Sequence, residues 1–146
     1  MSKSQTTPHS AVFCHQLEAE GYRPHWNELD QLVFKRAGLT YLLRFDALDP
    51  QFLEIVLPNL WTVTDAFERS KVLFAINEVN SVIKVVKLVL IETCVRANFE
   101  TFIANPSDFG EVLQRGFNSI DAILERFTIQ LRHDLPLSLE TTRIND

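Results

Sequence analysis

Residues 73–103, LFAINEVNSVIKVVKLVLIETCVRANFETFI, change their periodicity part-way, and that change decides the fold. Val72, Ile76, Val79 and Ile83 recur at i, i+4, i+7 and i+11, which predicts a helix over 66–83 with one buried stripe. Asp65, followed by Glu68 three residues on, resembles a capping box at its start. The stretch after the helix, VVKLVLIE, is rich in β-branched residues and reads as a buried strand. Val95, Ala97 and Phe99 then alternate with Arg96, Asn98 and Glu100, the period-two pattern of a half-buried strand. A single strand over 85–103 would run roughly 63 Å, too long for a small domain. A hairpin turn is therefore expected at Glu92-Thr93-Cys94, although no Gly or Asn-Gly marks it.

Asn77 and Asn80 lie where the helix gives way to the strand. Asn80 falls on the margin of the buried stripe and Asn77 further outside it. Such a pair reads as structural, an Asn side chain bonding backbone groups of the exit turn, in preference to a ligand site.

Working outward, Thr7-Pro8 reads as an N-cap and first helical residue, and Gly21 as the residue past the helix end. Phe13, Leu17 and Val12 give that first helix a narrow stripe, so it is expected to dock weakly. Three strand-like runs follow: QLVFKRA before Gly38, then LTYLLRFD, then FLEIVLPNL after Asp49-Pro50. Pro58 is expected to end the third strand or to place it at a sheet edge. After Asn105-Pro106, Ser107 is expected to cap a long third helix. Its continuous face is Phe109, Leu113, Phe117, Ile120, Leu124, Phe127 and Leu131, with Glu111, Arg115, Asn118, Glu125 and Arg126 opposite. The predicted order is α-β-β-β-α-β-β-α, an α+β two-layer sandwich of antiparallel sheet and packed helices. Its boundaries are an N-terminus at 1–7, one domain at 8–134 and a polar tail at 135–146.

Composition narrows the function. The chain has 146 residues, 46 % hydrophobic and 23 % charged, which suits one globular domain. Eleven phenylalanines against four glycines and one methionine predict a core of Phe, Leu, Ile and Val. A net charge of −5 with scattered Lys and Arg argues against nucleic acid. No run is long enough for a membrane span or a signal peptide, which points to the cytoplasm. Cys14 and Cys94 are too few for a disulfide framework and read as inert core residues. No HExxH, GxSxG, GxGxxG or Walker-type loop is present, and His9, His15, His25 and His133 are dispersed. Asp46 and Asp49 flank a strand connection and read as turn-formers, not as an acid–base pair. No catalytic residue, metal or cofactor is expected.

The passage AINEVNSVIKVVKLVL with its N-x-x-N, preceded by YLLRFDALDPQFLEIVLPNL, resembles the type III secretion chaperone-like fold, especially its YbjN-like branch, over about residues 10–132. That resemblance implies a small, acidic, cytoplasmic, homodimeric protein without enzymatic activity. It implies a chaperone or assembly factor that captures an extended segment or tail of a partner protein. A YbjN-type regulatory adaptor binding a folded protein is one alternative, and an enzyme or small-ligand protein of an unrecognised kind is a remote one. Phe67 and Phe74, seven residues apart opposite the buried stripe and flanked by Lys71 and Glu78, form the expected dimer interface, unless a loop or the first helix covers them. Trp26 and Trp61, beside strand termini, together with Leu57, mark the expected partner surface, the alternative being that the tryptophans close the ends of the core. The net charge favours a basic partner segment.

Overall fold

The computed structural model of the chain describes residues 9–133. The expected Thr7-Pro8 cap, the N-terminus and the 135–146 tail lie outside those residues. Three helices and one six-stranded antiparallel sheet form the expected two-layer α+β arrangement. Chain order is α1 (Ser10–Ala19), β1 (His25–Trp26), β2 (Leu32–Arg36), β3 (Leu39–Asp46), β4 (Asp49–Thr62), α2 (Ala66–Asn80), β5 (Val86–Ile91), β6 (Cys94–Phe102) and α3 (Phe109–His133). The sheet order is β1-β2-β3-β4-β6-β5. β1 is an addition to the expected elements, two residues too short to leave a periodic signal.

The strands alternate as the sequence predicts. Leu53, Ile55 and Leu57 join the helix-covered core with Tyr41, Leu43, Val95, Ala97 and Phe99, whereas Phe52, Glu54 and Val56 face the other side. β2 and β3 turn at Ala37-Gly38, both with left-handed φ (51° and 78°), as a tight hairpin of right-twisted strands requires. The β5–β6 hairpin turns at Glu92-Thr93. Glu92 has φ 56° in place of the usual glycine. Both carbonyls of that turn are held: Arg69 Nη1 donates to Glu92 O at 2.6 Å, and Val63 N–H donates to Thr93 O at 2.7 Å. Asp46 and Asp49 are turn-formers, accepting from Leu48 N–H and Gln51 N–H.

Several expectations are corrected. α1 does not dock weakly: Phe13 and Leu17 are fully buried, and Phe13 stacks on Phe109 at 4.2 Å. Val12, counted in its stripe, is exposed. Gly21 does end the helix, in a Schellman pattern with Gly21 N–H on Glu18 O and Tyr22 N–H on Leu17 O. α2 stops at Asn80, and Ile83 packs on the core from the following loop. Ser107 caps nothing; Asn105 accepts from Ser107 N–H and opens a short 3-10 turn, Pro106–Asp108, ahead of α3. Cys14 and Cys94 are only half-buried: Cys14 packs against the margin of the core, and Cys94 is not part of it. The α3 face is as read except that Leu124 and Leu131 are only partly buried while Ile123, outside the expected stripe, is fully buried.

Asn80 is structural, but its partner is not the exit turn. Its Oδ1 accepts from Leu88 N–H at 2.8 Å and its Nδ2 donates to Leu88 O at 3.0 Å. It therefore ties the end of α2 to the middle of β5.

Candidate partner groove at Trp61

Pro58 neither ends β4 nor sits at an edge. β4 runs on to Thr62, between β3 and β6. Leu57 pairs with Ala97 and Trp61 with Val95, so Pro58, Asn59 and Leu60 oppose Arg96 alone. This bulge takes up a residue that lacks an N–H for the ladder. Its two extra residues preserve parity, so Trp61 returns to the same face as Leu57, the face that carries the helices.

There the indole meets α3 and α2. The Trp61 ring stands edge-on to Phe127, centroids 6.4 Å apart. Its Nε1–H donates to Glu68 Oε1 at 2.8 Å. Glu68 Oε2 accepts from Thr64 N–H at 3.0 Å and from the Thr64 hydroxyl. The capping arrangement is shifted by one residue from the usual box: Asp65 accepts from Glu68 N–H at 2.8 Å, but Glu68 reaches back to Thr64. These bonds to Thr64, then to Trp61, hold the Glu68 carboxyl below the ordinary glutamate value. Glu68 thus remains an anion that fixes the indole in one orientation.

Trp61, Val72 and Leu131 give apolar walls to a surface cavity of about 450 Å³, with Glu68, Lys71, Thr128 and Arg132 around them. Trp61 is 41 % exposed within it. The rim cations are Lys71 and Arg132, while the carboxylate of Glu68 is already engaged.

The other expected site residues fall apart from this groove. Leu57 is 1 % exposed and offers no contact surface. Trp26 lies on β1, with β2 and β3 between it and β4, its ring 6.0 Å from Phe45. Phe67 and Phe74 are 73 % and 47 % exposed, so no described loop or helix covers them. Lys71 joins the two surfaces: it lines the groove, and its Nζ stands 4.6 Å over the Phe67 ring. Glu78 and Asn77 are exposed on α2. Thr128, Leu131 and Arg132 escaped sequence reasoning because nothing local pairs the end of α3 with a strand seventy residues earlier. Leu131, the last member of the α3 stripe, was the available signal.

Among the described residues no group of three or more His, Cys, Asp or Glu is placed to hold a metal ion, and no helix is long and apolar enough to cross a membrane. No family model matches the chain, and no curated protein or solved structure matches it.

Proposed function

We propose that this protein is a non-enzymatic, cytoplasmic chaperone or assembly factor that takes an extended segment of a partner protein into the Trp61 groove. The observation that carries the reading is a half-exposed tryptophan pre-oriented by an anion on an apolar floor. Tryptophan is among the residues enriched at interface hot spots, and a side chain already locked by its own hydrogen bond loses little freedom when a partner arrives. The mode is side-chain insertion between α2 and α3, because β4 is an interior strand and takes no added neighbour.

The segment's chemistry follows from the rim. The chain's net charge of −5 acts over a distance, but contacts are made within a Debye length of ~8 Å at physiological salt. At that range Lys71 and Arg132 outweigh the single carboxylate of Glu68 and leave the rim one positive charge in excess. The fitting segment carries an apolar side chain flanked by a carboxylate. The resemblance of AINEVNSVIKVVKLVL and its preceding strands to secretion chaperone-like proteins supports the same reading, and the exposed Phe67 and Phe74 supply a twofold dimer contact.

A photo-reactive residue in place of Leu131 tests the site in the native cell. The expected product is a cross-link to one contiguous partner segment with an apolar residue beside Asp or Glu, lost in Lys71→Glu/Arg132→Glu. Cross-links that scatter over unrelated folded surfaces, or that persist in that variant, sink the groove. Sedimentation equilibrium tests the dimer: Phe74→Glu should halve the mass of a folded protein.

A further inference from the structure

The sheet has two edges of unequal kind. One is β1, two residues long; the other is β5, six residues with five apolar side chains in VKLVLI. A long apolar edge is a template for pairing with another chain. Leu88 opposes Ala97 on β6, yet it gives both its N–H and its C=O to the Asn80 side chain, away from β6. By the alternation of an antiparallel ladder, Val86 and Leu90 also turn their amides outward. Among the described residues no other group hydrogen-bonds to that side of β5.

A primary amide presents its C=O and its syn N–H on the same side, as the C=O and N–H of a single residue in a neighbouring strand do. Asn80 therefore fills the one central position that the first residue of an added strand would need. The chain between this plug and the strand is short and ends in Val85, a β-branched residue at φ 61°.

We infer that β5 is a self-pairing edge held shut by Asn80, and that its occupant, once unplugged, is β5 of a second copy. The sequence of the strand supports that occupant. In an antiparallel register centred on Leu88, the Leu88 amides of the two copies replace their bonds to Asn80 one for one. Lys87, whose Nζ is already 2.8 Å from Glu100 Oε1 of its own sheet, then faces Val89 of the second copy, so the only charge in the strand never meets its like.

Sedimentation equilibrium at micromolar concentration tests this in a Phe74→Glu background, where the α2 stripe does not associate. Asn80→Ala should shift the average mass from one chain toward two. Adding Val89→Lys should return it to one, because the introduced ammonium then opposes Lys87 of the second copy. Adding Val89→Glu instead should tighten association relative to Asn80→Ala alone, since the introduced carboxylate gains Lys87 across the interface and Arg96 within its own sheet. If Asn80→Ala does not fold, Asn80→Asp, which keeps the acceptor for Leu88 N–H and loses the donor, is read with the same pair of substitutions at Val89. A folded, monomeric Asn80 variant, or association indifferent to the charge placed at Val89, overturns the inference.

Discussion

Gly116→Ala and Gly110→Ala, six residues apart on α3, should change stability in opposite directions. A Cβ on Gly116 would stand 2.9 Å from Ile55 Cδ1 and 3.1 and 3.2 Å from the Phe99 ring. Ile55 is fully buried and Phe99 nearly so, which leaves neither side chain an empty place to rotate into. The helix must lift from the sheet by a few tenths of an ångström. Overpacking of this kind costs about 1–3 kcal/mol, against which alanine gains about 0.8–1.0 kcal/mol of helix propensity. The net loss is about 1 kcal/mol. At Gly110 the nearest atom is the tip of Gln16, 3.1 Å away on a side chain free to swing. That substitution should gain about 0.5 kcal/mol, less than the full propensity because the site lies in the first helical turn. Thermal unfolding followed by circular dichroism should separate the two variants by about 6 °C, at roughly 4 °C per kcal/mol for a chain of this size. Gly116→Ala as stable as Gly110→Ala would mean that α3 does not approach β4 and β6 here, and would displace Leu131 and Arg132 from the groove with it.

Other outcomes follow from the same contacts. Because hydrogen bonds to the ionised form lower the Glu68 pKa, the Trp61–Glu68 contact is complete above the ordinary value of 4.5 and is lost as pH falls through a lower one; in Trp26→Phe, Trp61 emission should shift with a midpoint below 4.5, and Glu68→Gln should abolish that transition. Phe127→Ala should cost about 3–5 kcal/mol by leaving a cavity under the longest apolar stripe and should red-shift Trp61, whose ring rests against it. Arg36 donates to both Asp121 oxygens at 2.8 Å and lies 4.4 Å over the Phe117 ring; Arg36→Lys loses the fork, and with Asp121 half-exposed the cost in urea unfolding should be about 1–2 kcal/mol. Asp121 is held below its ordinary value by Arg36, so this contribution is present above that value and disappears as pH falls through the depressed one.

Much of the fold was legible because its signals are local. The stripe of Val72, Ile76 and Val79, the alternation through Phe99 and the length limit on 85–103 were enough to place α2, β5, β6 and the turn at Glu92-Thr93. Pro58 misled, since a missing N–H excludes an interior strand only where the ladder is regular, and here a bulge absorbs it. α1 misled because two large residues, Phe13 and Leu17, suffice to seat a short helix when aromatic partners from distant elements meet them. The site was legible only in Trp61 and, through the α2 face, Lys71. Its far wall comes from the end of α3, and that juxtaposition is a property of the packed layers. The structural role of Asn80 shows in the sequence, yet its partner lies eight residues ahead on an edge strand and leaves no mark in the helix itself.

The most direct test of the central claim is a calorimetric titration of the cross-linked partner segment, as a synthetic peptide, into the wild-type protein and Trp61→Ala. The groove predicts saturable binding to the wild type and an affinity at least about fivefold weaker in Trp61→Ala, equivalent to roughly 1 kcal/mol, with the variant's far-ultraviolet spectrum unchanged. Equal affinity for the two proteins would contradict it and move the partner surface away from Trp61.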